Sequence, residues 1–226
     1  MSTSQTLSRG LTALEFVALA ERPPTIDSVA EHLGVHRSIA YRIVRTLEEH
    51  RLVRRDEAGG CLPGLRLGIL GRSTLPTLRS TAVGELSRLA DELGLTCFLV
   101  IRDGDEALTV ESQEPTASHV HLTYKPGIRH PIDRGAPGLA VLAGEPERSD
   151  ERTEVSAARR DGWVKSVGEV VEGLAAIAVP LTGREASIAA VFLPGAGVDE
   201  PTIVEALTRA AASIDDHLQS SPAVAS

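Results

Sequence analysis

Aromatic residues make up only 3 % of this 226-residue chain, with three Phe, two Tyr and one Trp. Its core must therefore come from Leu, Val, Ile and Ala. Cysteine is almost missing: Cys61 and Cys97 stand alone, without metal or redox spacing, and are expected as small buried residues. Long apolar runs are missing too. The longest, such as residues 174–181, is far too short to span a bilayer. The opening MSTSQTLSRG lacks a charged-then-apolar signal pattern, so the chain is expected in the cytoplasm with no membrane partner. There is no internal repeat. What is present, at 42 % hydrophobic, suffices for one large domain or two ordinary ones.

The charge is −8 overall but unevenly spread. Residues 1–60 hold 8 Arg against 8 Asp and Glu, and residues 61–226 hold 15 cations against 23 acids, so the whole excess lies in the second part. Residues 34–55 carry six Arg (37, 42, 45, 51, 54, 55) against Glu48 and Glu49, a local +4. DNA binding rests on phosphate neutralisation, and an acidic body with one basic patch suits a specific DNA binder.

The patch lies in a recognisable pattern. Residues 7–20 place Leu7, Leu11, Leu14, Val17 and Ala18 at helical spacing, with Ser8 as a possible cap and Pro23-Pro24 as the stop. Thr25 or Asp27 caps a second helix that buries Val29, Ala30 and Leu33, and Gly34 supplies a left-handed stop. A third helix over about 37–50 turns Ile39, Ile43, Val44 and Leu47 inward and Arg37, Ser38, Tyr41, Arg42 and Arg45 outward. Residues 52–55 read as a strand, 56–60 as a turn and 61–62 as its return. Three helices and this wing make a winged helix-turn-helix over 5–62.

Such a fold reads bases from the start of its second motif helix while flanking cations hold phosphates. Arg37, Ser38, Tyr41, Arg42 and Arg45 are the candidates on that helix. Arg37 or Arg42 is expected to pair bidentately with guanine, and the pattern does not choose between them. Arg54 and Arg55 in the wing are expected at the backbone or minor groove.

Residues 63–77 read as a linker carrying a short amphipathic helix over 63–72. Residues 78–219 form a second domain. It opens with a helix over 78–93, bearing Val83, Leu86, Leu89, Ala90 and Leu93 on one face. Strands follow at 96–102 and 107–112, joined at Asp103-Gly104-Asp105. Further strands are expected at 119–124, 174–181 and 187–193, a short helix at 135–142, and a terminal helix at 201–218 capped by Asp199. The composite is α+β, with an antiparallel or mixed sheet in the second domain. The tail at 220–226 is expected to be disordered.

Candidate chemistry beyond DNA is thin. His119, His121 and His130 lack a carboxylate or Cys at metal spacing and are read as surface or partly buried histidines. The loop Gly135-Ala136-Pro137-Gly138 resembles a phosphate cradle only weakly, lacking a following Lys-Ser/Thr. Glu169 and Glu172 have no nucleophile, base and orienter beside them in sequence. Neither an enzyme activity nor a cofactor is expected.

Five blocks then take on meaning together: SVAEHLGVHRSIAYRIVRTLEEHRLVRRD, LPGLRLGILG, PGIRHPIDRGAPGLAVLAG, RRDGWVKSVGEVVEGLAAIAVPL and ASIAAVFLPG. In this order they resemble the IclR family of bacterial transcription regulators, over residues 7 to about 218. The stretch 159–181 with the strand that follows is the most specific. The resemblance implies a dimerising winged helix-turn-helix, a linker helix and a GAF-like sensor domain. Members act as repressors or activators, as dimers or dimers of dimers on double-stranded operators, under a small-molecule effector. It places effector contacts at Ala136, Pro137, Ser166, Leu174, Ala176, Phe192 and Pro194. Here the chain departs from carboxylate-binding members. The positions are mostly Ala, Pro and Phe, Pro137 removes a backbone donor, and the segment 142–159 is short, so one or two flanking helices are expected to be missing or trimmed. The effector is therefore expected to be more apolar than pyruvate-like acids, or the pocket to be vestigial. The alternative is a second domain that serves as a ligand-free dimerisation or protein-interaction module.

Overall fold

The computed structural model describes residues 4–71, 76–117, 122, 124–195 and 197–220, which form two compact units, Met1–Pro76 and Thr77–Ser226. In the first unit, α1 (Gln5–Leu19), α2 (Ile26–Leu33) and α3 (Arg37–Glu49) precede a two-stranded wing, β1 (Val53–Arg55) and β2 (Cys61–Pro63), and a single turn of helix, α4 (Arg66–Leu70). Ala13 and Val17 of α1, Val29 and Ala30 of α2, and Ala40, Ile43, Val44 and Leu47 of α3 close a core with Val53 and Cys61 from the wing. Each large aliphatic fully buried in this way contributes about 1.5–3 kcal/mol. Three details differ from expectation. Helix α1 starts at Gln5 behind Ser4, so Ser8 sits inside the helix and caps nothing. Of the anticipated α1 stripe, Val17 is buried and Leu14 packs partly, while Leu7 and Leu11 are 62 % and 51 % exposed because the unit closes on the neighbouring ridge through Ala13. The linker helix spans only five residues, and Leu65, Ile69 and Leu70 around it are exposed.

The second unit is built on an antiparallel sheet of six strands. These are β3 (Thr96–Asp103), β4 (Glu106–Gln113), β5 (Arg129–Pro131), β6 (Val164–Val167), β7 (Ala175–Pro180) and β8 (Ala186–Phe192), in the order β5-β4-β3-β8-β7-β6. Helices α5 (Pro76–Leu93) and α8 (Glu200–Ser220) cover one face, together with Cys97, Leu99, Ile177, Ile188 and Phe192. Helices α6 (Gly135–Gly144) and α7 (Thr153–Asp161) cover the other, with Phe98, Val100, Ala178, Ala189 and Val191. Because both faces are buried, β3 and β8 read as continuous apolar runs rather than alternating ones. A register shift between Leu99 and Val100 marks a bulge against β4. The short segment after α6 still forms one helix, α7, closed by Gly162 in the left-handed region (φ 81°), so the trimming expected there leaves one helix in place. The strand expected at 119–124 falls largely outside the described residues, as do His119, His121 and the tail 221–226. Cys61 and Cys97 are buried, and burial pushes both thiols up, which disfavours the reactive thiolate. Among the described residues no helix is long and apolar enough to cross a membrane, and no cluster of three His, Cys, Asp or Glu is placed to hold a metal.

Candidate nucleic-acid interface and effector cavity

The turn between α2 and α3 is fixed at both ends. Thr25 Oγ1 accepts the Ser28 N–H at 3.2 Å and so caps α2. Gly34 takes φ 61°, and Val35 N–H closes back on the Ala30 carbonyl at 3.0 Å. His36 caps α3, its Nδ1 accepting from Ser38 N–H at 3.3 Å; sequence reasoning did not single this residue out. The cap aims the first turn of α3 outward. His36, Arg37, Ser38, Tyr41 and Arg42 line one open depression on its exposed face, which gathers four of the seven expected DNA residues.

The cations of this face are not equivalent. Arg37 pairs with Asp27 at 3.3 Å and Arg45 with Glu49 at 3.5 Å, both between exposed side chains, where such pairs are worth little and yield to a phosphate. Arg42 and Arg54 are exposed and make no ion pair among the described residues. Arg55, also expected at the DNA, is the most tightly held of these cations within the unit. Its Nε donates to Glu48 at 2.9 Å, both side chains are 29 % exposed, and its guanidinium lies 5.4 Å from the centre of the Tyr41 ring. The reason is register: Arg55 opposes Cys61, which points into the core, while Arg54 on the other side of the strand faces solvent. Arg55 thus clasps the wing to α3. Replacing Arg54 or Arg42 by Ala should lower the salt-dependence slope of binding to a random-sequence duplex by about 0.9 each, and Arg55→Ala should leave that slope unchanged. A slope reduced by Arg55→Ala as much as by Arg42→Ala would refute the clasp.

In the second unit, a cavity of about 30 Å³, room for one water, opens beside the N-terminus of α6. It is lined by Phe98, Tyr124, Gly135, Pro137, Ser166, Glu169, Val170, Val171, Leu174, Ala175, Ala176 and Val191. Of the seven expected effector residues it brings together Pro137, Ser166, Leu174 and Ala176. Ala136 is fully buried beside it, its N–H donating to Ser166 Oγ at 2.7 Å. Phe192 and Pro194 do not line it. Phe192 points to the α5–α8 face, because strand residues alternate and it is Val191 that faces α6; Pro194 lies past the strand end, exposed. Phe98 and Tyr124 stack at 4.3 Å between ring centres and were missed, since Phe98 sits in a strand apolar on both faces. Burial pushes the Tyr124 phenol up.

The polar end of the cavity is an ion-pair junction. Glu169 Oε2 accepts the Gly135 N–H at 2.9 Å, and Arg152 at the start of α7 holds both carboxylate oxygens, at 3.0 and 3.1 Å. Arg152 also donates to the Asp133 carbonyl at 2.9 Å and to Glu154 at 2.9 Å. The Arg152 guanidinium, and secondarily the Gly135 N–H, hold the Glu169 carboxyl below the usual carboxylate range. Sequence inspection notices Glu169, but its role is visible only through Arg152, 17 residues earlier.

Comparison with known proteins agrees on one lineage. The family model described as the IclR helix-turn-helix domain matches residues 6–57. The HTH-type transcriptional regulator KipR of Bacillus subtilis is 26 % identical over 190 residues, covering 74 % of this chain and 76 % of that protein. The HTH-type transcriptional regulator Rv1719 of Mycobacterium tuberculosis is 29 % identical over 191 residues, covering 74 % and 72 %. Among solved structures, an IclR homolog complexed with 4-hydroxybenzoate from Microbacterium hydrocarbonoxydans superposes with a TM-score of 0.77 at 23 % identity, over 96 % of this chain and 100 % of that one.

Proposed function

Since this chain belongs to the IclR family of transcription regulators, we propose that it binds a double-stranded operator through Arg37, Ser38, Tyr41, Arg42, Arg45 and Arg54, with Arg55 setting the wing, and that a ligand in the second unit controls that binding. In this reading residues 5–62 are the DNA-binding domain, 63–77 the linker and 78–219 the sensor. The observation that carries it is the capped first turn of α3, which presents Arg42 without a competing acid beside Ser38 and Tyr41. A homodimer fits the exposed apolar residues of the first unit, Leu7 and Leu11 on α1 and Leu65, Ile69 and Leu70 around α4, which a lone protomer leaves in water. The effector reading draws support from the relative solved with 4-hydroxybenzoate and from the apolar cavity at α6.

The test is an operator selected from fragments of the source genome. Arg42→Ala should weaken its binding by about 1–3 kcal/mol, and the wild-type footprint should span two half-sites about one helical turn apart. Unchanged affinity would remove Arg42 from the interface, and a single unpaired half-site would remove the dimer. A second reading keeps the DNA-binding half and makes the second unit a ligand-free association module; the small volume of the cavity favours it. Titration with organic acids and apolar metabolites separates the two, because only a sensor changes its affinity for DNA when it binds one of them.

A further inference from the structure

The first N–H groups of α6 are a place where an organic acid would dock. The helix dipole points positive charge there, and Arg152 adds a guanidinium fork shaped for a carboxylate. In this chain every one of those donors is taken. Gly135 N–H donates to Glu169 and Ala136 N–H to Ser166, while Pro137 has no N–H to offer. Arg152 spends both of its terminal nitrogens on the same Glu169 carboxylate. The acid already in place is tethered. It sits on the segment between β6 and β7, whose next residue, Val170, comes within 2.5 Å of where a Gly135 Cβ would stand. That segment lies directly on the start of α6, and Gly135, at φ 73°, has no side chain to push it off.

Beside this junction a polar group is left over. His130 is only 6 % exposed; its Nδ1 faces the Pro131 carbonyl, and its Nε2 is buried with no partner among the described residues. The ring Cε1 is 3.6 Å from the Gly135 Cβ position, which puts the imidazole behind α6's first residue and outside the cavity lining. Beyond the ion-pair junction the cavity is lined by the Phe98–Tyr124 stack, Val171, Leu174, Ala176 and Val191.

We propose that Glu169 is the specificity-determining residue of this cavity: its carboxylate fills the one anion position, bars free organic acids, and leaves the cavity to an uncharged ligand with an apolar or aromatic body. A tethered group acts at an effective concentration of about millimolar or more, so a free acid must outcompete a carboxylate that is already oriented. A neutral ligand has no such rival. A ligand larger than one water has to push aside the outer end of the cavity, where Val171 is 43 % exposed and Leu174 is half-buried. The assignment of a ligand rests on the cavity being the effector site; the displacement of acids by Glu169 does not.

The experiment is thermal unfolding of the full chain with sodium acetate, sodium benzoate or benzyl alcohol, each against sodium chloride at equal ionic strength. Wild type should be stabilised by benzyl alcohol and by neither acid. Glu169→Ala should melt lower and bind both acids on the order of tenfold more tightly than wild type. Combining it with Arg152→Ala should abolish that gain. Wild type that binds benzoate as tightly as the variant, or a variant that gains no acid binding, overturns the role of Glu169. Absence of any benzyl alcohol effect overturns the neutral ligand. Should Glu169→Ala fail to fold, Glu169→Gln keeps the side-chain shape, and the Gly135 amide proton followed by NMR should then move with acetate in that variant and stay fixed in wild type. Benzyl alcohol that binds without altering DNA affinity would refute the effector reading and leave the Glu169 assignment standing.

Discussion

Gly138→Ala is expected to destabilise the second unit by about 3 kcal/mol or more, a fall of roughly 6–12 °C in its unfolding temperature. Gly138 lies in the first half of α6, where the helix meets the chain leaving β5. A Cβ there would stand 2.3 Å from the Ile132 carbonyl oxygen, 3.0 Å from its carbon and 3.3 Å from its Cα. All three atoms are backbone, so no rotamer change can relieve the contact; either α6 lifts from the sheet or the 131–134 turn is displaced. The turn is anchored by Ile132 N–H on the Asp105 carbonyl at 2.9 Å, and α6 by Ser187 Oγ, which donates to the Pro137 carbonyl at 2.8 Å from inside the sheet. Neither side gives cheaply. Calorimetry of the variant checks this, and a change within about 0.5 kcal/mol, the range of ordinary surface substitutions, would mean that α6 does not sit this close.

The wing holds the second large effect. A Cβ on Gly64 would stand 2.1 Å from the Arg51 carbonyl oxygen and 2.7 Å from its carbon, while Gly64 N–H donates to the Leu52 carbonyl at 2.8 Å. Arg51 itself takes φ 59°, a left-handed conformation uncommon outside glycine, so the end of α3 already bends sharply to enter β1. Gly64→Ala forces β2 away from β1 at the Val53–Pro63 pair and strips the clasp between Arg55, Glu48 and Tyr41 of its support. A loss of about 2–3 kcal/mol in the stability of the first unit is expected. DNA affinity should fall with it, because Arg54 loses its place. The pairing of the two losses, read by unfolding and by duplex binding on the same preparation, is the diagnostic result; a variant that binds DNA like wild type would show that the wing takes no part in the interface.

The sequence spells out the first unit well because its signals are local. Thr25, Gly34 and the outward run from Arg37 to Arg45 each act within one or two helical turns, and the turn chemistry of 56–60 does the same for the wing. What it does not spell out there is contact between elements: Arg55 pairs with Glu48 and lies over Tyr41, and no spacing rule connects a wing residue to a helix. In the second unit, the longer elements were readable, but the short β5, α7 and β6 were not, and neither was facing. A strand buried on both sides carries no alternation, so nothing in ASIAAVF says that Val191 faces α6 and Phe192 the other way. The polar junction was illegible for a similar reason. Gly135, Arg152 and Glu169 meet only after three elements have folded, and each alone reads as an ordinary loop or surface residue.

The two strands at the heart of the sheet have one further property. Strands β7 and β8 carry six alanines in 13 residues, and these alanines, Ala176 only in part, are buried under helices on one face or the other. Alanine has no rotamers, so these six positions cannot absorb a push by rearranging side chains. It is a board without slack. A displacement of α6 on one side is expected to reach α5 and α8 on the other as a tilt, and α5 begins at Pro76, the residue at which the chain passes from one unit to the next.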